Sequence, residues 1–69
     1  MKISARNQLT GKILDVAKGV TTAHVRLEIA PGRVLTSAIT NEAVDELGLE
    51  TGGTVIAVVK ASNVMIATD

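Results

Sequence analysis

Thr22-Ala23-His24-Val25-Arg26-Leu27-Glu28-Ile29 alternates polar and apolar side chains without a break, and Ala30-Pro31-Gly32-Arg33 follows it. Period-2 alternation over this length reads as a strand with one face on a core and the other in water. Pro31 presets the backbone angle of the first central turn position, and Gly32 accepts the positive φ of the second. Residues 34 to 39 are therefore expected to return as an antiparallel partner, which makes a hairpin the nucleus of the fold.

Upstream of the hairpin, Asn7 to Val16 also reads as extended, but its apolar positions fall at Leu9 and Ile13 and then at Leu14 and Val16. A bulge or sharp bend around Gly11 to Leu14 accounts for that slip in phase. Lys18-Gly19 ends the strand. Downstream, Thr40 or Asn41 can cap a helix of about two turns from Asn41 to Leu47, with Glu42 placed favourably against its dipole. Ala43, Val44 and Leu47 form the expected buried stripe. Gly48 is a left-handed stop after which Leu49 can fold back onto Val44. Past Gly52-Gly53, the β-branched run Val55 to Val59 reads as a central strand. Lys60-Ala61-Ser62-Asn63 then makes a polar turn, and Val64-Met65-Ile66-Ala67 a last strand. The order is three strands, one helix, two strands. The expected class is all-β: a five-stranded OB-fold-like Greek-key barrel with one short helix between the third and fourth strands.

The 69 residues hold one domain, 1–69, and a domain of this size buries only roughly 60% of its unfolded surface. With no cysteine, neither disulfides nor a thiolate metal site can reinforce it. Yet 46% of the chain is hydrophobic, more than so small a core can absorb. A homo-oligomer with an apolar interface is the expectation. The N-terminus lacks the apolar stretch of a signal peptide, and no run approaches the roughly 20 apolar residues of a membrane span. The reading is a soluble cytoplasmic protein with no membrane partner.

Seven basic and seven acidic residues balance, so no field favours a polyanion. OB-folds that bind single strands stack bases on aromatic side chains, and this chain has no Phe, Tyr or Trp. No nucleic-acid partner is expected. Catalysis is poorly served as well. His24, the single histidine, stands on the polar face of its strand with no relay partner, and no carboxylate pair lies in an apolar setting. One histidine and scattered acids do not make a site for a free metal cation. The chain reads as a binding protein and not an enzyme.

Three segments at element boundaries carry donors for a small anion. Ser4-Ala5-Arg6-Asn7 offers a hydroxyl, a guanidinium and backbone N–H groups ahead of the first strand. Thr40-Asn41 stands at the helix start, where free N–H groups favour negative charge. Lys60-Ala61-Ser62-Asn63 adds an ammonium, a hydroxyl and further N–H groups in a turn. Each also has a plain structural use, as strand start, helix cap and hairpin turn.

Several stretches together carry a family resemblance. They are Ser4-Ala5-Arg6-Asn7-Gln8-Leu9, Gly11-Lys12, Lys18-Gly19-Val20, Ala23-His24-Val25, Thr36-Ser37, Ile39-Thr40, Glu46-Leu47-Gly48-Leu49, Gly52 and Val58-Val59-Lys60-Ala61-Ser62-Asn63-Val64-Met65-Ile66. In this order, across essentially the whole chain, they resemble the molbindin (Mop) family. The first and last stretches are the specific ones. What the resemblance implies is an OB-like barrel assembled as a hexamer, a trimer of dimers, that binds molybdate or tungstate at subunit interfaces without an organic cofactor. Its implied role is intracellular molybdenum storage and homeostasis. Carried over by position, the oxyanion-binding residues would be Ser4, Ala5, Arg6, Thr40, Lys60, Ala61 and Ser62. Some relatives have a serine where Ala43 stands, so only the backbone of residue 43 could contribute here. A second oxyanion site, near the threefold axis in that family, would fall to Lys18, Gly19, Val20 and Thr21 with Thr36 and Ser37. The competing reading is an OB-fold interaction or nucleic-acid-binding module without oxyanion function.

Overall fold

The computed structural model describes all of residues 1–69. The chain forms β1 (Asn7–Lys18), β2 (Thr22–Ala30), β3 (Arg33–Thr40), α1 (Asn41–Leu47) and β4 (Thr54–Val59), followed by a single 3₁₀ turn at Ala61–Asn63. The alternating stretch is the middle of the β2–β3 hairpin, paired from Thr22 against Thr40 to Glu28 against Val34. Gly32 at its tip has φ +73°. Ala23, Val25 and Leu27 are buried, while His24, Arg26 and Glu28 face out, as the alternation requires.

β1 is long because it serves two partners. Its first half pairs with β4 from Asn7 against Val59 to Lys12 against Thr54, and its second half pairs with β2 from Lys12 against Glu28 to Lys18 against Ala23. The register slips between Ile13 and Asp15, so Leu14 is the extra residue. That bulge shifts the strand's phase by one position. Ile13 is buried before it, and Val16, paired with Val25, packs against the core after it. The sheet order is β3-β2-β1-β4, the spatial arrangement of a Greek key.

α1 covers one end of this sheet. The Thr40 hydroxyl accepts from the Ala43 N–H at 3.0 Å, which caps the helix start. At the other end Gly48 sits at φ 61°, with its N–H on the Asp45 carbonyl (3.1 Å) and the Leu49 N–H on the Val44 carbonyl (3.0 Å). This pair of bonds returns Leu49 to the core. Val44 is the helix's buried residue, joining Ile13, Ala23, Val25 and Leu27.

Three expectations are corrected. Leu47 does not share the buried stripe: it is 69% exposed and lines an apolar groove beside β3 and β4. The sheet has four strands where five were expected, because Val64–Ala67 pairs with nothing in the chain, and Val64, Met65 and Ile66 lie exposed. Without that fifth strand the sheet stays open, with β3 and β4 as edges, and no barrel closes in the single chain. The reason is that a strand exists only as one side of a hydrogen-bonded ladder. Apolar β-formers mark a surface to be covered, but they do not say which chain covers it.

Candidate functional site

The polar residues at the start of β1 and the end of β4 meet because those two strands are paired there, Asn7 opposite Val59. The Asn7 Nδ2 donates to the Val59 carbonyl at 3.2 Å and pins the junction. Immediately outside it lies a cleft of about 570 Å³ lined by Ile3, Ser4, Ala5, Arg6, Val58, Lys60, Ala61 and Ser62. Two of the three anticipated segments, 52 and more residues apart in sequence, thus form one wall.

The donors of this wall are free. Gln8 Nε2 takes the Ala5 carbonyl at 3.0 Å, and the Asn63 N–H takes the Lys60 carbonyl at 2.8 Å, so two acceptor oxygens of the wall are engaged from behind. By contrast, the backbone N–H groups of Ser4, Ala5, Arg6, Lys60, Ala61 and Ser62 have no acceptor in the chain. Neither Arg6 nor Lys60 forms an ion pair, and no carboxylate lines the cleft. Two unpaired cations, two hydroxyls and a run of unspent N–H groups, with no anion among them, make a local positive potential in a chain of zero net charge.

Thr40 is elsewhere. It pairs with Thr22 beside the far end of β1, whereas the cleft lies at the near end. A hydroxyl has one proton and two lone pairs, so Thr40 can still donate outward while its oxygen caps Ala43. Within one chain it cannot reach the Arg6–Lys60 cleft.

The second set of anticipated residues is divided. Thr36 and Ser37 sit in mid-β3 opposite Arg26 and Val25, on the lining of the apolar groove. The Lys18–Thr21 turn lines neither cavity, and it is tied to the helix start through Asn41. Lys18 itself reaches back to Asp45 at 2.5 Å. Reading the sequence missed Ile3 and Val58 as cleft-lining residues, since apolar side chains give no donor signal. It also missed Asn41 as the tie to that turn.

The larger cavity, about 620 Å³, is the groove between the open sheet edges, bordered by Met1, Leu35, Ile39, Leu47, Val55 and Val59 among others. No charged side chain lines it, and it offers packing surface rather than chemistry.

Comparison with known proteins places this architecture. The TOBE domain family model matches residues 3–66. Molybdenum-pterin-binding protein 2 of Clostridium pasteurianum is 54% identical over 66 residues, covering 96% of this chain and 97% of that protein. This chain belongs to the molbindin (Mop) family. Two solved structures carry the same shape. MopII from Clostridium pasteurianum superposes with a TM-score of 0.90 at 52% identity, covering 97% of this chain and all of that one. A molybdate-binding protein from Sporomusa ovata superposes with a TM-score of 0.92 at 35% identity, covering 99% of this chain and all of that one. The family model's match, residues 3–66, takes in both cleft segments of this molbindin.

Proposed function

We propose that this protein binds a tetrahedral molybdenum or tungsten oxyanion in the Ser4–Arg6/Lys60–Ser62 cleft, completed by a second copy of the chain, as a reversible store of the metal. The observation that carries the reading is the set of N–H groups at residues 4, 5, 6, 60, 61 and 62, all without an acceptor, beside the unpaired Arg6 and Lys60. A dianion with four acceptor oxygens and no apolar surface needs many short donors, and charge-assisted ones are the strongest. The names of the relatives, joining molybdenum to a pterin in one case and molybdate in another, support the same ligand class. The chain has no aromatic ring on which a pterin could stack, which favours the free oxyanion.

Interfaces follow from the same geometry. The cleft is open on one side, and Thr40 stands at the other end of the molecule, so only a neighbouring copy can bring its Thr40 hydroxyl to the bound ion. The exposed Val64-Met65-Ile66 segment and the apolar groove between β3 and β4 are complementary features of one chain that cannot satisfy each other within it. Paired between two copies they would supply the missing strand and bury both surfaces. Three such dimers would make the hexamer, and Ser4, Ala5, Arg6, Thr40, Lys60, Ala61 and Ser62 would surround the ion at its interfaces.

Thermal unfolding with millimolar molybdate, tungstate, sulfate or phosphate tests the ligand class. The midpoint should rise clearly with the first two and little with the others, and equal rises with all four would overturn the selectivity. Arg6→Ala and Lys60→Ala should each weaken molybdate binding by about 10- to 100-fold, the loss of one charged hydrogen bond. Titration calorimetry showing unchanged affinity in both would remove the cleft from the site.

A further inference from the structure

We infer that Ile3 and Val58 form an apolar wall that strips water from the bound anion and so sets which oxyanion the cleft accepts; this rests on the oxyanion reading and adds the cause of its selectivity. Neither side chain serves the core, since both stand outside the buried cluster and outside the residues packed against it. Along β4, Val55, Ala57 and Val59 turn inward and are half-buried. Val58 therefore stands on the outer face, 40% exposed, where a strand with one wet face ordinarily carries a polar residue. Its partner across the ladder, Gln8, is such a residue, and the Gln8 carboxamide is spent on the Ala5 carbonyl. Ile3, 45% exposed, precedes β1 and pairs with no strand. Val58 also borders the apolar groove, but Ile3 lines the cleft alone. What the two share is a place beside Arg6, Lys60 and the acceptor-free N–H groups.

Donors alone do not separate one tetrahedral dianion from another. Molybdate and sulfate each present four oxygens and the same charge, so the same N–H groups and cations serve both. Hydration is what differs. The work of taking an ion out of water rises as its radius falls, and sulfate, with the shorter bonds to oxygen, is the smaller of the two. A wall of hydroxyls would keep water at the anion. Ile3 and Val58 offer water no hydrogen bond, so an anion seated against them loses its shell on that side and is left to the donors. Sulfate loses more by this than molybdate or tungstate does. The low dielectric of the two aliphatic side chains also strengthens the bonds from Arg6 and Lys60 to the anion that stays.

The test replaces both residues by threonine, which is β-branched like each of them and in place of valine exchanges one methyl for a hydroxyl. Calorimetric titration of the assembled protein with molybdate, and displacement of bound molybdate by sulfate, give the two affinities. Ile3→Thr with Val58→Thr should lower the molybdate-to-sulfate affinity ratio by about tenfold, the equivalent of about 1.4 kcal/mol of differential hydration. Val58→Thr alone should move the ratio the same way, which keeps the test open should the double variant fail to fold. Val58→Ile, equally apolar, should hold the wild-type ratio. Arg6→Ala should weaken both anions together and leave the ratio in place, because equal charges feel the lost cation alike.

Were the two side chains only structural, or only covered by a neighbouring copy, the threonine variants would melt earlier or sediment as a smaller species while the ratio stood. That result would overturn the wall, as would a wild type that binds both anions equally. A wild type that binds neither anion would overturn the oxyanion reading instead.

Discussion

Asp15 and Arg26 face each other across the β1–β2 ladder, joined by both the Nε (2.8 Å) and an Nη of the guanidinium. The hydrogen bond from Arg26 holds the Asp15 carboxyl below its ordinary value of 3.8, against an opposing effect of desolvation and with further help from the Arg26 charge. A carboxyl whose folded pKa is depressed stabilises the fold above its unfolded pKa, and that contribution disappears as the pH falls through the folded value. Asp15→Asn should therefore unfold at a lower temperature than the wild type at neutral pH, and the gap should close well below pH 3.8. Both side chains are about half exposed, so the gap should also shrink in molar salt. Scanning calorimetry at two pH values and two salt concentrations checks it. The pair lies on the outer face of the sheet, away from the cleft, so anion affinity should not move.

At the scale of the element, α1 depends on its two ends because seven residues are too few to hold a helix alone. Gly48 occupies the left-handed region, where a Cβ costs about 1–2 kcal/mol. Gly48→Ala should lower the unfolding midpoint by about 4–8 °C for each kcal/mol lost, and Gly48→Asn by less. Thr40 carries two duties, as cap and as proposed donor to a neighbouring copy's ion. Thr40→Ala should cost about 0.5–2 kcal/mol of stability and also weaken molybdate binding, whereas Thr40→Ser should preserve both. Urea unfolding and calorimetric titration of the two variants separate these duties. An irregularity around Gly11 to Leu14 was legible in the sequence as a slip in phase, and the ladder register then fixed it as a bulge at Leu14. The exposure of Leu47 was not, since helical periodicity reports which side chains share a stripe but not how wide a surface lies opposite them.

For the molecule as a whole, the fully buried apolar set is five residues, Ile13, Ala23, Val25, Leu27 and Val44, which is thin support for a free-standing domain. Leu27→Ala should cost about 2–5 kcal/mol, enough to threaten folding of the isolated subunit. Against that thin core stand the exposed Val64, Met65 and Ile66 and the apolar groove. A chain cut after Asn63, or the double variant Met65→Lys with Ile66→Lys, should sediment as a smaller species than the wild type. Its unfolding midpoint should drop, and the wild-type midpoint should rise with protein concentration. Sedimentation of either variant as the same species as the wild type would leave the groove unexplained by self-association.

Sequence alone was enough to establish the β2–β3 hairpin, the irregular first strand, the capped helix and the donor-bearing segments at residues 4–6 and 60–62, because alternation, turn chemistry and capping are local and leave periodic marks. Tertiary structure alone decided that those two donor segments share a cleft while Thr40 stands at the opposite end of the sheet. It also decided that Val64–Ala67 finds no partner in its own chain. Both outcomes depend on which strands lie side by side, and side-by-side placement is settled by non-local pairing that no single stretch of residues encodes.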